Sequence, residues 1–105
     1  MLVLIHVIAV IEVVAGKRQD FLAAFHELVP LVRAEVGCIE YGPAIDMATP
    51  IEIQEPVREN AVTVVERWES VGALQDHLRA PHMDLHREQV KEMVTGVRIQ
   101  ILEPA

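Results

Sequence analysis

Cysteine occurs once in the 105 residues, at Cys38. One thiol excludes an intrachain disulfide framework and any CxxC zinc or redox motif, and makes a reducing compartment the default. Basic residues are scarce: 9 Lys and Arg stand against 16 Asp and Glu, a formal charge of −7. That sign opposes nucleic-acid phosphates and anionic membranes, so neither is expected as a partner. Long apolar runs are missing. Residues 1–15 are interrupted only by His6 and Glu12, but spanning a bilayer takes about 20 apolar residues. The same stretch lacks the basic start and cleavage site of a secretory signal. A cytoplasmic location is expected. The chain has no Gly-rich phosphate loop, no GxSxG, no HExxH and no Rossmann pattern, so no cofactor held by a known fingerprint is expected.

What is abundant is apolar. Such residues make up 51% of the chain, and the mean hydropathy is +0.27. This excludes disorder. The length suits one core, so residues 1–105 are read as a single domain. The apolar surplus implies surface covered by a second copy of the chain, a homodimer.

Residues 2–13 are rich in β-branched side chains and read as a buried strand, broken by Gly16. Its odd positions are all apolar, and alternation puts His6 and Glu12 on the other side. Phe21, Phe25, Leu28 and Val32 recur at helical spacing within a helix over 17–35. Pro30 inside that run is expected to kink or split it, and Gly37 is a plausible terminator. A second strand covers 38–46. Residues 47–60 contain Pro50 and Pro56, lack a period and read as a long loop, lid or partner contact. A third strand at 61–69 sets Val62, Val64, Glu66 and Trp68 on one face. Ser70 caps a short helix to about residue 78. Pro81 opens another, running to about 94 and ended by Gly96. A last strand, 97–102, sets Val97, Ile99 and Ile101 opposite Arg98, Gln100 and Leu102. Strand, helix, strand, strand, helices, strand predicts an α+β ferredoxin-like sandwich: a four-stranded antiparallel sheet with helices on one face. The bare sheet face is where a second protomer is expected to pack.

The chemistry-bearing side chains are few. Three of the five histidines, His77, His82 and His86, crowd into HLRAPHMDLH. His82 and His86 share a helix face. A metal would need a third ligand, from His77, Asp84 or Asp76; such pairs arise easily by chance, and no metal site is expected. His6, Glu66 and Trp68 would combine an imidazole, a carboxylate and an indole if their faces coincide, and a histidine in an apolar pocket is a suitable general base. Cys38 lacks a local base and reads as packing. Tyr41 either offers a phenol to a ligand or closes the core edge. Glu35 ends a helix, where the dipole disfavours an acid, which implies a specific partner such as Arg33 or a backbone N–H.

Two segments together carry a resemblance. Arg33-Ala-Glu35-Val-Gly37-Cys38-Ile-Glu-Tyr41 resembles the E-x-G-C-x-x-Y signature of the antibiotic biosynthesis monooxygenase family. Glu66-Arg-Trp68-Glu-Ser70, followed by Leu74, His77, Pro81 and His82, resembles its E-x-W-x-S…L…H…P-H stretch. The resemblance spans nearly the whole chain except 47–60. It implies a dimeric α/β barrel of two ferredoxin-like protomers. It also implies a monooxygenase that oxidises a quinol-like or polycyclic aromatic with dioxygen, needing neither metal nor flavin. By the likeness, His77 is the base or orients it, Trp68 donates to the substrate oxygen or walls the pocket, and Tyr41, Glu66 and His82 complete the site. His6 is added from strand alternation. A haem-degrading branch shares the strand Trp and downstream His but carries Asn near the position of His6. Isomerase relatives, and a non-catalytic ligand-binding or stress-associated module, are the alternatives.

Overall fold

A computed structural model describes residues 4–105. Seven elements follow one another: β1 (Ile5–Val13), α1 (Arg18–Arg33), β2 (Cys38–Ala44), β3 (Ala61–Trp68), α2 (Val71–Arg79), α3 (Pro81–Val90) and β4 (Val94–Leu102). Leu2 and Val3, assigned above to the first strand, lie outside the described residues. The strands form one sheet in the order β2-β3-β1-β4, antiparallel throughout. This is the expected α+β ferredoxin-like sandwich, with its helices on one face.

Pairing explains which side chains are buried. Directly opposed residues of an antiparallel pair share a face. Val7 faces Glu66, Ile5 faces Trp68 and Ala9 faces Val64 across β1 and β3, and all six are buried. On the helix side they meet Phe21, Phe25, Leu28 and Val32 of α1, Leu74 of α2, and Met83 and Val90 of α3. Ser70 caps α2 as expected, its hydroxyl accepting from the Ala73 amide at 3.1 Å, and Pro81 opens α3.

Two expectations fail. Pro30 does not split α1, which runs unbroken to Arg33. The hydrogen bond it removes would have ended on the carbonyl of His26, and both residues are exposed, so water can satisfy the freed oxygen. Gly96 does not end the last helix. That helix stops at Val90 in a turn closed by Met93 N–H to Val90 O at 2.8 Å. Gly96 lies within β4 opposite Glu12, where the β1–β4 register slips. A Cβ there would lie 3.0 Å from a Glu12 carboxylate oxygen, so glycine serves close approach at a bulge.

Gly37 turns the chain from α1 into β2 with φ at +88°, and a Cβ on it would sit 2.5 Å from the Ala73 Cβ. Gly37→Ala is therefore expected to destabilise by at least about 2 kcal/mol, through left-handed strain plus overpacking. Urea unfolding checks this, and an unchanged midpoint would contradict it.

The segment 45–60 has neither helix nor strand, yet it is closed upon itself. Arg58 donates to both Asp46 carboxylate oxygens, at 2.8 and 2.9 Å, and holds that acid down at about 2. Gln54 bonds the Met47 carbonyl and the Thr49 hydroxyl. Its apolar side chains face outward: Met47 is 75% exposed and Ile53 94%. On β4, Val97, Ile99 and Ile101 are exposed as well.

Candidate active site

Between the helices and the middle of the sheet lies a cavity of about 420 Å³. Its walls are apolar, built by Phe21 and Phe25 of α1, Ala9 and Ile11 of β1, Val64 of β3, and Met83 and Val90 of α3. Polar groups are few: Tyr41, Glu66, His77 and His86, with Arg87 and Lys91 on the α3 side. A mostly apolar cleft of this size with a few convergent polar groups is the usual form of a small-molecule site.

His77 is brought there by the last turn of α2 and is 2% exposed. Its ring packs against Trp68, with centroids 4.7 Å apart, and meets Tyr41 edge-on at 5.4 Å. Its Nδ1 lies 2.8 Å from Glu35 Oε2. The same oxygen lies 2.8 Å from Nε2 of His82, in the first turn of α3. A carboxylate only accepts, so both imidazoles donate to it. That sets the tautomer of His77: the hydrogen is on Nδ1, and Nε2 keeps its lone pair for a molecule in the cavity. Burial pulls the His77 pKa below its ordinary value, against the opposing pull of Glu35, so the ring is neutral at pH 7 and able to accept a proton.

Glu35 thus finds the partner its position at a helix end demanded, but neither of those expected. Arg33 bonds the Tyr41 carbonyl instead, at 3.0 Å. The Glu35 partners lie 42 and 47 residues downstream, beyond any local pattern.

The carboxyl of Glu66 is buried at the sheet centre. Burial pushes its pKa up to about 7, against a lowering by Trp68 and helped by the charge of Glu35. The Trp68 indole N–H donates to Glu66 at 2.9 Å, and Trp68 is 0% exposed and outside the cavity lining. The structure thus gives the one Trp68 donor to Glu66 rather than to the cavity, and sets its ring against His77. Tyr41 stacks on Phe25 at 5.6 Å and lines the cavity. Burial drives its pKa upward, so it remains a phenol. It reaches the helix side because the β2–β3 register shifts between Cys38 and Glu40, which puts Cys38 opposite Trp68 and Tyr41 opposite Glu66. Cys38 packs against the core, and burial raises its thiol.

His6 is not part of this site. It pairs with Arg67 and Leu102 on the other face of the sheet, whereas Glu66 pairs with Val7. Alternation separates His6 from Glu66 and Trp68 by the thickness of the sheet. His82 reaches the site only through Glu35. Sequence reasoning weighed His86 only as a metal ligand beside His82, whereas α3 turns it inward to line the cavity. It stands edge-on to Phe21 and Phe25 at 6.0 and 5.5 Å, with its Nδ1 buried and unpartnered. Its spacing from Met83 and Val90 on one helix face was the available signal. Among the described residues, Glu35, His77 and His82 bring three ligand atoms within 4.8 Å of one another.

A ferredoxin-like sandwich holding an acid-supported imidazole at the wall of an apolar cavity is a scaffold suited to proton abstraction from a small apolar molecule. Comparison with known proteins places it further. The pattern of the antibiotic biosynthesis monooxygenase family matches residues 4–89, and the chain belongs to that family. A relative from Escherichia coli K12, "Probable quinol monooxygenase YgiN", is 38% identical over 100 residues, covering 93% of this chain and 95% of that protein. A conserved protein from Methanosarcina mazei Go1 superposes with a TM-score of 0.82 at 25% identity, over 99% of this chain and 95% of that one. Rv0793 from Mycobacterium tuberculosis does so with a TM-score of 0.79 at 26% identity, over 97% and 95%.

Proposed function

We propose that the chain is a cofactor-independent monooxygenase acting on a quinol-like aromatic with dioxygen, and that it works as a homodimer in the cytoplasm. The observation that carries the chemistry is the Glu35–His77 pair, with His77 at the wall of the 420 Å³ cavity and the half-buried Glu35 behind it. Nε2 of His77 takes a proton from the substrate hydroxyl, and Glu35 steadies the imidazolium that forms. The anion, being electron-rich, reduces dioxygen. One oxygen atom is retained in the product and the other leaves as water, the substrate supplying both electrons. The aromatic walls hold the ring in place, and the Tyr41 phenol supplies a donor to a substrate oxygen. Membership of the family and the likeness to a protein named as a quinol monooxygenase support this reading.

Oxygen uptake with a panel of reduced quinols and anthrones, without added metal, flavin or nicotinamide, tests it. Uptake above autoxidation is expected; none across the panel, from folded protein, would count against it. The dimer reading rests on the apolar side chains left exposed on β4 and the 45–60 arm, together with Ile8, Val10 and Val65 on the uncovered sheet face. Light scattering at micromolar concentration is expected to give twice the 11.8 kDa chain mass, and the mass of one chain would overturn the dimer.

A further inference from the structure

We propose that Glu35, His77 and His82 form a zinc site whose occupation silences the base. The silencing rests on the role of His77 given above; the binding does not. The three side chains come from the turn after α1, the end of α2 and the start of α3, and the fold has already converged them. Glu35 Oε2 is 2.8 Å from both His77 Nδ1 and His82 Nε2.

Two imidazoles and one carboxylate are a recognised zinc donor set, with a fourth position left for water. Bonds of about 2.0–2.2 Å place tetrahedral donors about 3.3 Å apart, so each contact has to open by only about half an ångström. Ordering entropy is small because His77 and Glu35 are already held. The ion has a way in: Glu35 and His82 are partly exposed. His82 also lines a recess of about 140 Å³ between α1 and α3, bordered by Glu27 and Gln89.

Zinc would take the lone pair of the nitrogen that now carries hydrogen. Each imidazole stays neutral and its hydrogen moves to the other ring nitrogen. For His77 that nitrogen is Nε2. The atom that accepts a proton from substrate in the zinc-free chain becomes an N–H donor, and proton abstraction stops. Electrons and protons balance without any further reactant.

Calorimetric titration of the full chain with zinc chloride tests the site, with cobalt(II) as a spectroscopic substitute. One equivalent per chain is expected, with the visible absorption of tetrahedral cobalt. Affinity is expected to fall at least tenfold in His82→Ala and in Glu35→Gln, both shown to be folded by circular dichroism. No binding by the parent chain, or equal binding by both variants, overturns the site. Oxygen uptake is expected to fall to background as zinc saturates and to return with a chelator. Undiminished uptake at saturation overturns the silencing. Absent uptake before zinc is added overturns the oxygenase reading instead, and calorimetry then decides the site by itself.

Discussion

Alanine in place of His77 is expected to lower turnover by about a hundredfold or more, the range that a positioned general base contributes. The reasoning is geometric. Among the described residues, His77 is the one imidazole whose Nδ1 is held by an acid, the half-buried Glu35, while the same ring lines the cavity. His82 shares the acid but lines only the outer recess. His86 lines the cavity but has no acid behind it. A base acts on the chemical step, so the loss should fall on kcat, with KM for the quinol nearly unchanged. Glu35→Gln separates orientation from mere packing. It keeps the shape, removes the charge, and lets the amide donate to His77 Nδ1, which favours the wrong tautomer. It should lower kcat by a smaller factor than His77→Ala. Oxygen uptake under saturating quinol measures both, with circular dichroism as the control for folding. Turnover within a few-fold of the parent in folded His77→Ala would remove His77 from the role.

The second large effect is on stability. Glu66 is a carboxyl whose pKa rises from 4.5 to about 7 on folding, chiefly through burial. A raised folded-state value means that the native chain holds the proton more tightly than the unfolded one. Its contribution is fully present below about pH 4.5 and is lost as pH rises through 7. A change of that size corresponds to about 3 kcal/mol, a large share of the roughly 5–15 kcal/mol that holds a domain folded. Other groups act in the same window. His77 and His86 have lowered values because of burial, and they destabilise the fold as pH falls below 6.5. Comparison with Glu66→Gln isolates the carboxyl, because the glutamine oxygen still accepts from the Trp68 indole. The variant is expected to be the more stable at pH 8 by about 3 kcal/mol relative to the difference at pH 4.5. Urea unfolding at both pH values measures this; parallel curves for the two proteins would show that Glu66 ionises in the fold as it does in water.

The fold was largely legible because periodicity is a local property. Alternation in 61–69 placed Val62, Val64, Glu66 and Trp68 together, and they do share a face. The helical recurrence of Phe21, Phe25, Leu28 and Val32 marked the face of α1 that is buried. Errors fell where a local rule met a non-local circumstance. The split expected at Pro30 is absent, because the bond the proline removes falls on the solvent side. Gly96 was read as a helix stop, but it serves a bulge against Glu12. For the site, His77, Glu66 and Tyr41 are cavity residues, while Trp68 and His82 stand one step behind. His6 was assigned by assuming that the faces of β1 and β3 coincide at that position; the register sets it opposite Arg67.

The sequence by itself determined the class of fold, the acidic surface, the buried faces of the elements, and the side chains rich enough in chemistry to build a site. These follow from spacing of two or 3.6 residues and from composition, quantities that no partner element can alter. The tertiary structure alone decided which of those side chains meet. It joined Glu35 to His77 and His82 across more than forty residues, gave the Trp68 indole to Glu66, sent His6 to the far face and turned His86 inward. Such pairings depend on register and helix rotation. A shift of one residue in a strand moves every side chain to the opposite face, and only the assembled core selects among the registers.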